Sequence, residues 1–154
     1  MFANSTLLQL AGRGGGSEVD GAGLSGARFN SVLALGVDAA GAIWVVEPSG
    51  ALRVCMPDVG GRSCTVATVN ASAGLLPAAG AQIAAVAGGL LFIADTLRHR
   101  VVVVDTSAPF VATLAGRNAT AGMADGAALS ALFNQPLGLA VDSAATPTAL
   151  FVAD

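Results

Sequence analysis

The side chains able to do chemistry are few, and most of them recur at matching places. Asp38, Asp95, Asp142 and Asp154 each close a short apolar run. Brought together they would suit a metal ion, but a metal needs converging ligands. An acid repeated once per unit fits better as a turn carboxylate accepting backbone N–H bonds. His99 is the sole histidine. Acid–base or nucleophilic catalysis needs a partner within reach, and the sequence places none beside it. His99 and Arg100 are therefore read as packing or bonding locally at a strand start. No catalytic, cofactor-binding or metal-binding residue is expected, and no cofactor.

Other motifs point to compartment rather than reaction. Cys55 and Cys64 bracket Met-Pro-Asp-Val-Gly-Gly-Arg-Ser, a natural hairpin loop. That places them opposite each other across two antiparallel strands, at disulfide distance. Two buried free thiols are the alternative. Asn4, Asn70 and Asn118 each begin an Asn-X-Ser/Thr glycosylation triplet. Asn70 and Asn118 both follow a predicted outer strand, in loops. Together these features suggest an oxidising setting, extracellular or in the secretory pathway. The Gly-Arg-Gly-Gly-Gly stretch at 12–16 lacks the Gly-Lys-Ser/Thr ending of a phosphate loop, so a flexible connector is expected there.

The bulk properties narrow the classes further. The chain has 154 residues, 54% hydrophobic and only 11% charged, with a mean hydropathy of +0.71. Such a composition fits either a membrane segment or strands buried on both faces. The uncharged run Ser63 to Ala94 is long enough to span a bilayer. It is broken by Gly74, Pro77, Gly80 and Gly88-Gly89, and a Gly pair between short apolar runs is a hairpin signal. No membrane span is expected. The basic residues are all Arg, and the net charge is −3. Nucleic-acid binding is disfavoured, because phosphate neutralisation needs a basic patch.

The positioning elements repeat. Leu10-Ala11-Gly12-Arg13, Asp20-Gly21, Phe29-Asn30 and Leu35-Gly36-Val37-Asp38 return as Leu114-Ala115-Gly116-Arg117, Asp125-Gly126, Phe133-Asn134 and Leu139-Ala140-Val141-Asp142. Both the Phe and the closing Asp recur after 104 residues. A second motif occurs three times, as Trp44-Val45-Val46-Glu47, Phe92-Ile93-Ala94-Asp95 and Phe151-Val152-Ala153-Asp154. The spacing is close to the ~40–50 residues of a propeller blade. β-Branched and aromatic runs predict strands at 33–37, 42–46, 51–55 and 65–69, then 82–87, 90–94, 100–104 and 110–114, then 137–141 and 149–153. Four such strands make one blade-sized antiparallel sheet. The expected fold is an all-β, incomplete propeller. It comprises an outer strand of a preceding blade at 6–10, blades at 33–69 and 82–114, and a half blade at 137–154. Ala-rich 124–133 could form one short helical turn in its loop.

At these residues the chain resembles the NHL-repeat family of β-propellers. The resemblance is carried by Asp125-Gly126, Phe133-Asn134-Gln135-Pro136, Gly138-Leu139-Ala140-Val141-Asp142, Phe151-Val152-Ala153-Asp154 and the tail Asp95, His99-Arg100-Val101. Arg98 stands where the family has Asn, Ser31-Val32 replaces the residue-Pro pair, and the middle unit lacks the Phe-Asn element. The resemblance implies a typically six-bladed ring used as a binding platform. It implies a protein partner, met here through the loops 13–28 and 117–131, and remaining blades supplied by the same or another chain. A few related propellers are metal-dependent lyases or hydrolases. That alternative would need an active site largely in missing blades, because the inner strands carry only Gln82 as a polar residue.

Overall fold

The computed structural model describes residues 9–12, 16–69, 81–87, 89–108, 110–142 and 149–154. The chain is all-β and antiparallel, arranged as two successive meanders and a hairpin. Strands β1 (Gly21–Ala22), β2 (Ala34–Val37), β3 (Ile43–Val46), β4 (Leu52–Pro57) and β5 (Cys64–Val69) form a five-stranded sheet in the order β1-β5-β4-β3-β2. Strands β6 (Ala81–Ala87), β7 (Leu90–Asp95), β8 (Arg100–Asp105) and β9 (Phe110–Gly116) form a four-stranded sheet in chain order. Strands β10 (Gly138–Asp142) and β11 (Ala149–Ala153) pair as a hairpin. The ten strands predicted between 33 and 153 are present within two residues at each end.

The β1 strand lies outside the expected plan. Gly21 and Ala22 pair with Val66 and Thr65, so the 16–30 loop adds a fifth strand to the sheet that follows it. Short, glycine-containing and without alternation, this segment gave no strand signal. Of the outer strand expected at 6–10, residues 6–8 lie outside the described residues, and Gln9 and Leu10 are not in a strand. Residues 124–133 form one short turn and nothing longer: the Ala131 amide donates to the Ala127 carbonyl four residues back, between the bridged pair Ala124 and Leu132.

The first sheet closes its three hairpins in one way. Asp38, Glu47 and Asp58 each accept, through the backbone carbonyl, the N–H of the residue three on. Those residues are Gly41, Gly50 and Gly61, with φ of +84°, +80° and +61°. A type I turn followed by a left-handed residue requires this, and glycine supplies it without a Cβ penalty.

Alternation gives each sheet two usable faces. Trp44, Val46 and Leu52 of the first sheet pack with Leu91, Ile93, Val102 and Val104 of the second in one buried cluster. The opposite face of the first sheet, through Cys55, Cys64 and Val66, is covered by Ala27, Phe29 and Leu10. The leading strands of the three sheets are neighbours in space, with β6 beside both β2 and β10. Among the described residues no sheet closes on itself.

Candidate functional site

The polar side chains gather at the junction between each second strand and the loop that precedes its sheet. Glu47 follows β3, and both its side chain and that of Arg53 on β4 are fully buried. Glu47 Oε1 and Arg53 Nη1 are 2.8 Å apart. Asp20, from the loop before β1, accepts from Arg53 Nη2 at 2.9 Å. The carbonyls of Val19 and Arg28 accept the remaining hydrogens of the two terminal nitrogens. The guanidinium also lies over the Phe29 ring, 4.8 Å from its centroid, a cation–π distance. Burial pushes the Glu47 carboxyl above its ordinary value; Arg53 and the Asn30 N–H act against this, and neighbouring Glu18 adds to it.

Asp20 also ties the loop to β5. It accepts the Thr68 N–H at 2.8 Å and the Thr68 hydroxyl at 2.9 Å. Partial burial raises its carboxyl, and the Thr68 and Arg53 bonds outweigh that, holding it below the ordinary carboxylate value.

The second sheet holds its own version. Asp95, at the position of Glu47, accepts from Arg100 Nε at 2.9 Å, and Arg98 stands 3.6 Å away. Arg100 also donates to the Thr113 hydroxyl at 2.8 Å. The arginine follows the acid by five residues here and by six in the first sheet. The longer Glu side chain goes with the longer spacing.

The strand-end acids thus divide into two kinds. Asp38 is a turn carboxylate: it accepts the N–H groups of Ala40 and Ala42 and the Trp44 indole N–H, at 2.8–2.9 Å. Partial burial raises it, and these donors with Gly41 outweigh that and lower it. Asp142 ends β10 at the matching place. Asp95 is not a turn carboxylate but half of a buried ion pair, which corrects the expectation that all four acids serve turns. Asp154 holds the Asn134 N–H at 2.6 Å, as Glu47 holds that of Asn30 at 3.2 Å.

His99 caps the short 3₁₀ turn Thr96–Arg98 with a left-handed backbone, φ +56°. Its Nδ1 accepts the Gln135 N–H at 3.1 Å. Beside it, the Thr96 hydroxyl donates to the Pro136 carbonyl at 2.8 Å. These bonds fasten the second sheet to the Phe133-Asn134-Gln135-Pro136 loop. Phe133 seats against Gly116 as Phe29 seats against Gly12: a Cβ on Gly116 would lie 2.9 Å from the Phe133 ring, and one on Gly12 3.1 Å from the Phe29 ring.

Cys55 and Cys64 form a disulfide, with Cα atoms 5.5 Å apart. They are not directly opposite: Cys55 pairs with Val66 and Cys64 with Pro57, so the bridge runs diagonally. Asn118 is exposed in a turn after β9; Asn4 and Asn70 lie outside the described residues. No group of three metal-ligating side chains occurs among the described residues, and no helix among them is long and apolar enough to cross a membrane. Scanned against family models and searched against curated proteins, the chain matches none.

Arg53 and Asp20 escaped the sequence reading. The available signal was an acid followed by an arginine five or six residues later in two aligned units. Asp20 stood out only as part of the recurring Asp-Gly pair, and its role did not, because it acts 33 residues from its partner.

Proposed function

We propose that the chain is an arc of an NHL-type β-propeller that works without catalysis, as a protein-interaction or scaffold module in an extracellular or secretory setting. One observation carries the non-catalytic part: the polar groups that could do chemistry are spent on joints of the repeat. Glu47 and Asp95 are paired with arginines, Asp38 holds Trp44, and His99 holds Gln135. A propeller arrangement is supported by two antiparallel meanders and a hairpin whose strands β2, β6 and β10 adjoin. It is also supported by apolar side chains left exposed on the outermost sheets: Leu35 and Val37 on β2, Leu137 before β10 and Phe151 on β11. Those surfaces suit further blades of the same or another chain.

The loop 117–131 is the better of the two candidate partner surfaces. The 16–30 loop exposes Val19 and Leu24 but is built into the first sheet, whereas 117–131 adds no strand and exposes Met123 and Leu129 more fully. Loops held by a rigid scaffold suit recognition. The disulfide and exposed Asn118 fit the proposed compartment. The test is a binding screen of the purified chain against secreted and cell-surface proteins by biolayer interferometry. Saturable binding that weakens about tenfold when 119–130 becomes a Gly-Ser linker supports the proposal. Binding indifferent to that replacement places the partner surface elsewhere.

A further inference from the structure

Among the described residues, three residues other than glycine hold left-handed backbone: His99 at φ +56°, Ala119 at +57° and Gln135 at +65°. All three belong to one joint. The Ala119 N–H donates to the Arg98 carbonyl at 2.9 Å, and the Gln135 N–H donates to His99 Nδ1 at 3.1 Å. Backbone of this kind persists only where its surroundings over-determine it, and it concentrates at sites that switch. The β3–β4 hairpin fills its left-handed turn position with Gly50, at φ +80°. The β7–β8 hairpin fills it with His99, and so bears a backbone cost for a side chain that glycine lacks.

The joint holds more than Gln135. The Thr96 hydroxyl holds the Pro136 carbonyl. The Phe133 carbonyl accepts the Gly122 N–H at 3.0 Å, and the Ala128 carbonyl accepts the Gly116 N–H at 2.9 Å. The loop 117–131 is therefore tied both to the turn that carries His99 and to the segment that His99 fastens.

Nδ1 accepts a hydrogen bond only when the imidazole is neutral with its hydrogen on Nε2. A protonated ring carries N–H on both nitrogens, and Nδ1 would then meet the Gln135 N–H donor to donor. Imidazole is the side chain whose charge changes in mild acid. The charged groups around this joint are Asp95, Arg98 and Arg100 on the same hairpin, Arg117 beyond β9, Asp125 in the loop and Asp154 beyond β11. Asp95 is engaged by Arg98 and Arg100, and Asp154 holds the Asn134 N–H. Strand β6, also beside this turn, carries no charged residue.

We propose that His99 is an acid-sensitive latch. Neutral, it fastens the 133–136 segment and the base of loop 117–131 to the second sheet; protonated, it lets them go. A partner held by 117–131 would leave in mild acid. That consequence rests on the partner surface proposed above, whereas the latch itself does not.

The test is NMR on the full 154-residue chain, in which His99 is the only histidine and its ring nitrogens report alone. At neutral pH the long-range proton–nitrogen spectrum of the ring should place its hydrogen on Nε2. Between about pH 7.5 and 5 the Gln135 amide should lose roughly tenfold of its protection from hydrogen exchange, corrected for the pH dependence of free amides, in step with the His99 titration. Val102, buried in β8, should keep its protection, since the release is local. In His99→Asn, whose side chain tolerates left-handed backbone and does not titrate, Gln135 protection should not change over this range. A ring hydrogen on Nδ1 at neutral pH overturns the latch with no variant needed. So does Gln135 protection that is flat with pH in the parent chain. Equal loss in His99→Asn overturns it too and assigns the acid response to the carboxylates, and loss at Val102 together with Gln135 overturns it as general unfolding.

Discussion

The Glu47 carboxylate and the Arg53 guanidinium meet at 2.8 Å with neither side chain exposed to solvent. Such a pair tolerates replacement of both partners far better than loss of one, because the survivor is left charged and buried. Arg53→Met should therefore cost about 3–5 kcal/mol in urea unfolding. Glu47→Leu combined with Arg53→Met should cost clearly less than the sum of the two single changes. An additive result would mean that the pair is not a coupled unit.

Gly116 and Gly41 share a φ of +84° but not their surroundings. A Cβ on Gly41 meets nothing within 4 Å, whereas on Gly116 it would lie 2.6 Å from the His99 carbonyl oxygen. Gly41→Ala should cost about 1–2 kcal/mol from left-handed backbone alone. Gly116→Ala should add roughly 1–3 kcal/mol of overpacking. Equal losses in thermal melts would show that Gly116 is not packed against His99 and Phe133 as described.

The Cys55–Cys64 bridge closes a short loop between β4 and β5. Chain-entropy arguments give such a bridge about 2–3 kcal/mol. Cys55→Ala with Cys64→Ala should lower the urea midpoint accordingly. An unchanged midpoint would show that the link contributes nothing to the folded state's advantage.

Acid should loosen the first sheet. The carboxyls of Asp38 and Asp20 sit below their ordinary value when folded. Their contribution is full above the unfolded carboxylate range and is lost as pH falls through the lower folded values. Emission from Trp44, the only tryptophan, should report this, because its indole N–H is held by Asp38. Asp38→Asn should flatten the Trp44 response to acid. An identical titration in that variant would remove Asp38 from the account.

The strands were legible because β-branched runs and glycine turns dictate them locally. The repeat was legible because Phe29 and Phe133, and Asp38 and Asp142, return at one interval. The long-range polar joints were hidden for a physical reason. Asp20 reaches Arg53, and Gln135 reaches His99, only after whole sheets have formed. Local pattern carries no trace of contacts made across such separations. Asp95 is different: Arg100 is only five residues away, and the acid–arginine spacing shared with Glu47 and Arg53 was the signal that went unread.

The central claim is that successive repeat units pack as adjacent sheets in one frame. Methyl-labelled NMR tests it most directly. Nuclear Overhauser contacts should link Val46 and Leu52 of the first sheet with Ile93 and Val104 of the second, since all four share one buried cluster. If contacts were confined within each sheet and absent between them, the units would be independent meanders and the shared architecture would be wrong.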